Sequence, residues 1–175
     1  VSRVLPGMQA VFINIGHEQN AFLHFSDVSA SYQDYFIDYE EDDVSEKRSN
    51  QNDDSNFNVA KNLKKDDDIL VQIIKEPINT KGCRVTTEIA LPGRFMVLIP
   101  GKKSIGISRK ISDQKERKRL KNLARQIIPE HFGVIIRTVA EKKQERELRK
   151  DLNKLMSTWR KVEKQIKSQE APALV

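Results

Sequence analysis

The chain has 175 residues, enough for one ordinary domain or two small ones, and its 38% hydrophobic and 32% charged residues predict a modest core. No apolar run reaches the length of a membrane-spanning helix, and the single cysteine excludes an internal disulfide and predicts a reducing, cytoplasmic setting. The net charge of +6 favours an anionic partner, and the excess is concentrated from Gly101 onward, where 21 Lys and Arg face 9 Asp and Glu.

Val1 to Leu5 reads as the tail of a strand, and Pro6-Gly7 as a turn. Gln9 to Asn14 alternates like a half-buried strand, with Val11, Ile13 and Ile15 on one face and Phe12 on the other. Gly16 to Asn20 forms a second turn, and Ala21 to His24 a second strand. Phe12 and Phe22 then fall in paired strands, away from the aliphatic row. Aromatics exposed on a small sheet are the platform on which single-stranded bases stack; the pattern alone equally allows one or both to be core.

From Asp27 to about Lys61 the character changes. Tyr32, Tyr35, Phe36 and Tyr39 predict a short packed segment, followed by the acidic run Glu40 to Asp43 and a polar stretch through Asn58. Without His, Cys or the glycine and spacing of a calcium loop, these carboxylates read as a solvated, disordered insert at about 40–60 rather than a metal site. Ile69 to Lys75 predicts a strand, Glu76 to Gly82 a turn, and Cys83 to Thr87 the last strand of the first unit. Lys81, taken alone, reads as a solvated turn lysine.

The second half opens with Leu91-Pro92-Gly93 and a strand to Pro100, then a basic loop from Gly101 to Gly106 and a short strand over Ile107 to Ile111. Asp113-Gln114-Lys115-Glu116 has the spacing of a capping box. It opens a helix with Leu120, Leu123, Ala124, Ile127 and Ile128 on its apolar side, ended by Pro129. Phe132 to Ile136 is a buried apolar strand running straight into Arg137-Thr138. A guanidinium fork beside a hydroxyl and a backbone N–H suits a terminal phosphate, while a strand-end arginine paired with a carboxylate fits the residues too. From Glu141 to about Lys167 one long helix is predicted, with Leu148, Leu152, Leu155, Met156, Trp159, Val162 and Ile166 at spacings of three and four. Its apolar side would cover the second unit's sheet, and its outer Lys and Arg read as solvated charge.

Two of these stretches also carry a resemblance. Val4-Leu5-Pro6-Gly7-Met8-Gln9-Ala10-Val11-Phe12-Ile13-Asn14-Ile15-Gly16 with Ala21-Phe22-Leu23-His24 resembles the S1 domain of the bacterial ribonuclease E and ribonuclease G family. Gly133-Val134-Ile135-Ile136-Arg137-Thr138-Val139-Ala140-Glu141 resembles the 5′-sensor region of the same enzymes. The resemblance implies an S1-type OB β barrel at 1–87, truncated at its N-terminus, then a small α+β sensor unit at 88–175 with a long C-terminal helix. It implies that Phe12, Phe22 and Lys81 bind single-stranded RNA. By the same resemblance Arg137 and Thr138 bind its 5′-monophosphate, with Gly93 and Val97 shaping that pocket.

In this family RNA is cut with a magnesium ion held by aspartates in a separate, more C-terminal domain, which predicts that these residues need no cofactor and are inactive alone. Self-association would run through domains outside them. The resemblance therefore predicts the RNA-binding, 5′-sensing part of a bacterial cytoplasmic endoribonuclease acting in RNA processing and decay. The alternatives are a non-catalytic S1-type RNA-binding module of another factor, or an adaptor docking through its long helix.

Overall fold

The computed structural model describes residues 1–29 and 59–175. The packed segment expected around Tyr32 to Tyr39 and the acidic run Glu40 to Asp43 lie outside the described residues. The chain divides into two units, Val1–Thr87 and Glu88–Val175.

In the first unit β1 (Arg3–Leu5) leads through a 3-10 turn (Pro6–Met8) into β2 (Ala10–Ile13) and β3 (Ala21–His24). A four-residue helix α1 (Val59–Asn62), β4 (Gln72–Lys75) and β5 (Arg84–Thr86) complete it. The strands lie in the order β1-β2-β3-β5-β4, antiparallel except for the parallel β3–β5 pair. Period-two alternation decides the faces. Val11, Ile13, Leu23 and Val85 point inward onto Val59, Leu63 and Cys83, while Phe12, Phe22 and Arg84 point outward. Burial pushes the Cys83 thiol up, as expected of a packing residue rather than a nucleophile.

Two expectations change here. The sheet does not close into a barrel: β1 and β4 are its two edges, and no ladder joins them among the described residues. β4 also begins at Gln72 rather than Ile69, because Ile69 and Val71 pack against the core from the segment before the strand. Asp27 ties the end of β3 to β5. Its carboxylate accepts from Arg84 Nε at 2.9 Å and Nη2 at 2.7 Å, and its carbonyl accepts from the Thr87 N–H at 3.0 Å.

The second unit contains β6 (Leu91–Pro92), β7 (Met96–Pro100), β8 (Ile105–Ile107), α2 (Gln114–Ile127), β9 (Phe132–Ile136), a 3-10 turn (Thr138–Ala140) and α3 (Glu145–Ser168). Its sheet runs β6-β7-β9-β8, with β8 parallel to β9. Met96, Leu98, Val134 and Ile136 meet Leu120, Leu123, Ala124 and Ile127 of α2 and Leu148, Leu152 and Leu155 of α3 in one core. Each of those leucines contributes about 1.5–3 kcal/mol by leaving water.

Four details differ from the sequence reading. The short strand is Ile105–Ile107, not Ile107–Ile111, because Ile105 to Ile107 pair with Val134 to Ile136 and the chain then turns, the Ile111 N–H bonding the Ser108 carbonyl. Asp113 caps α2 by accepting from the Lys115 N–H, but Glu116 does not complete a capping box. Glu116 turns instead to Arg119, 2.7 Å away, and to the Lys142 N–H, and these contacts lower its pKa to about 2. α3 starts four positions later than expected, where Gln144 and Glu147 form a reciprocal capping box. Finally β9 is not buried throughout: Ile135 points away from the core and is 44% exposed.

Candidate nucleic-acid interface

On the outer face of the first unit, Phe12 and Phe22 are direct cross-strand partners, their rings 6.0 Å apart in a T-shaped arrangement. Both are half-buried, so each keeps ring surface open to solvent. The register extends this pair into a row across all five strands. Arg3 stands opposite Phe12, Phe22 beside Arg84, and Arg84 opposite Lys75. Paired residues share a face, so the two aromatics lie in a row with Arg3 on one side and Lys75 on the other, Arg84 between being held by Asp27. Two positions along β3, the His24 ring sits 6.4 Å from Phe22, and its Nδ1 accepts the Ser26 N–H, which leaves Nε2 as the donor. This arrangement can stack bases and neutralise the phosphates beside them.

Lys81 is exposed, in a turn where its N–H and carbonyl bond Ile78. The next residue, Gly82, lies against the Asn20 carbonyl, and the Cys83 carbonyl accepts the Phe22 N–H at 2.8 Å. The turn bearing Lys81 is therefore at the end of β5 that adjoins the start of β3.

In the second unit, Arg137 and Gly93 are brought into contact. Arg137 Nη1 donates to the Gly93 carbonyl at 2.7 Å, and its backbone N–H donates to the Phe95 carbonyl at 2.8 Å. Val97 is the register partner of Ile135, on the outward side of β7 and β9, and Arg137 comes two positions later on the same side. Thr138 opens the 3-10 turn after it. The carboxylate partner that would make Arg137 an ordinary structural arginine is missing: no ion pair to it exists among the described residues. Its remaining guanidinium donors face solvent, a fork that fits a phosphate.

What holds Gly93 is a residue that the sequence reading did not single out. Asp151, on the buried side of α3, accepts the N–H groups of Arg94 at 3.1 Å, Phe95 at 2.7 Å and Met96 at 3.3 Å. Gly93 packs so closely that an added Cβ would stand 2.6 Å from Asp151 Oδ2. A signal was present. Asp151 interrupts an apolar stripe, with Leu148 three positions before it and Leu152 and Leu155 after it, and an acid in such a stripe needs buried donors.

Comparison with known proteins bears on both units. Residues 90–175 match the model of the ribonuclease E/G family. Ribonuclease G of Haemophilus influenzae is 40% identical over 162 residues, covering 93% of the chain. Ribonuclease G of Escherichia coli K12 has the same identity and coverage. Ribonuclease E of Nostoc sp. is 36% identical over 176 residues, covering the whole chain. Residues 90–175 carry the ribonuclease E/G family domain, and the chain is similar to that family's members along its length. It spans 31% of the length of these ribonuclease G relatives and 23% of the ribonuclease E one. Among the described residues no three His, Cys, Asp or Glu side chains come together. No helix among them is long and apolar enough to cross a membrane.

Proposed function

We propose that this chain is the RNA-binding and 5′-end-sensing part of a ribonuclease E/G-like endoribonuclease, acting in bacterial RNA processing and decay. The first unit is an S1-type OB fold. In its support, the strand order with one parallel pair is a five-stranded, partly open sheet of the kind OB folds use for oligonucleotides. Phe12 and Phe22 stack successive bases of a single strand, and Lys81 holds the backbone at the edge of that platform. Arg137 and Thr138 bind a 5′-monophosphate, with Gly93 and Val97 forming the wall. Hydrolysis and its magnesium ion belong to a catalytic domain outside these residues.

One observation carries the reading: an exposed guanidinium fixed by the Gly93 carbonyl, with no carboxylate among the described residues to neutralise it. The test compares one short unstructured RNA carrying a 5′-monophosphate, a 5′-hydroxyl or a 5′-triphosphate, at fixed salt. The monophosphate binds most tightly, and Arg137→Ala abolishes that preference while leaving affinity for the hydroxyl form unchanged. Survival of the preference in Arg137→Ala would refute the sensor role.

Phe12→Ala has a different signature. It weakens binding of every single strand, whatever its 5′ end or sequence, by about 1–3 kcal/mol. A loss confined to one sequence, or none, would rule out the stacking platform.

A further inference from the structure

The outer face of α3 carries more charge than solvation requires. At 100° per residue, Arg146, Lys150, Lys154, Arg160, Lys161 and Lys164 fall on the side opposite the buried Leu148, Leu152, Leu155 and Trp159. All six are exposed. The helix's acids lie elsewhere. Glu145 pairs with Arg149 and Glu147 with Lys143, Asp151 is buried, and Glu163 lies to one side. No carboxylate among the described residues is in ion-pair range of any of the six cations. An ordinary solvated helix face mixes signs at spacings of three and four, because each opposite pair stabilises it and each like pair does the reverse. Keeping this face of one sign costs α3 stability.

We propose that this face of α3 is a docking surface for the phosphate backbone of double-stranded RNA. The proposal rests on RNA being the polyanion this chain binds and is independent of the phosphate pocket at Arg137. Geometry and composition choose the duplex over the single strand. The 24-residue helix is unbroken and about 36 Å long, a rigid rail suited to an equally rigid partner. Surfaces for single strands pair cations with aromatic platforms, and the one aromatic of α3, Trp159, is buried. The polar residues between the cations, Asn153 and Ser157, offer donors and acceptors to phosphates and 2′-hydroxyls, the groups by which RNA duplexes are recognised.

The test uses the full chain and a blunt RNA hairpin with a 5′-hydroxyl and a compact, internally paired tetraloop, which offers neither a single-stranded end nor a terminal phosphate. The variant K150Q/K154Q/K161Q removes three cations from the face. The control K115Q/K118Q/K121Q removes three lysines from α2. The first variant weakens hairpin binding roughly tenfold or more and makes the log-affinity against log-salt plot shallower by about two to three, while the control changes little. Binding of an unstructured RNA changes less in the α3 variant than hairpin binding does. Unchanged hairpin affinity in the α3 variant, or equal losses in both variants, would overturn the proposal while leaving single-strand binding intact. Binding to anionic phosphatidylserine vesicles without hairpin binding would overturn it in favour of a membrane surface. Failure to bind either RNA would bring down the wider reading along with this one.

Discussion

Asp151→Ala lowers the melting temperature of the second unit by roughly 10–20 °C. The carboxylate accepts three N–H groups, those of Phe95 and Met96 lying in the buried core. Alanine leaves them without their acceptor, at a cost of about 3 kcal/mol. For a unit of this size that is several degrees per kcal/mol. Asp151→Asn keeps the shape and one acceptor oxygen and loses less. Thermal denaturation ranks the three proteins, and amide exchange at Arg94, Phe95 and Met96 localises the change. An equal melting temperature for wild type and Asp151→Ala would show that the turn holds without its acid. Because Gly93 in that turn holds Arg137, the substitution also loosens the exposed guanidinium.

Gly82→Ala unfolds the first unit or destabilises it by about 3 kcal/mol or more. A Cβ there would stand 2.0 Å from the Asn20 carbonyl oxygen and 3.0 Å from its carbon, both backbone atoms with no rotamer to give. The strain falls where the Phe22 N–H meets the Cys83 carbonyl, so relief requires β3 and β5 to separate. Gly7→Ala is the matched control. A Cβ at Gly7 meets nothing within 4 Å, and that variant stays within about 0.5 kcal/mol of wild type. Urea denaturation of the two variants side by side decides the matter; equal midpoints would mean that the chain passes Asn20 with room to spare.

The residues made some of this architecture legible and concealed the rest for physical reasons. β2 and β3 could be read because one face is buried and period-two alternation records that directly in Val11, Ile13 and Leu23. The Phe12–Phe22 pairing came from the short turn between them. β8 was misplaced because Ile111 is buried by a turn, and apolar spacing does not distinguish a residue buried in a turn from one buried in a strand. The start of α3 was obscured because Glu141 to Lys143 are as helix-compatible as the residues after them, and only the Gln144–Glu147 box fixes the boundary. Openness of the first sheet was hidden altogether, since strand sequences record their faces and not whether their edges meet. At the candidate site, Arg137 stood out by its position at a strand end. Its dependence on Asp151 did not, because the contact joins Gly93's turn to a helix far along the chain.

The parallel β3–β5 pair has a consequence in time. Phe22 must find Arg84, whereas β8 and β9 are joined through the single helix α2. Pairings between distant positions form slowly, because the closure entropy of the intervening chain comes before any reward. On the ribosome the β2–β3 hairpin emerges first and its partner β5 much later. Until then the edge of β3 is an open template for any other strand, beside two half-exposed phenylalanines. The first unit is thus slow to close, and its vulnerable moment comes during synthesis rather than in the finished fold.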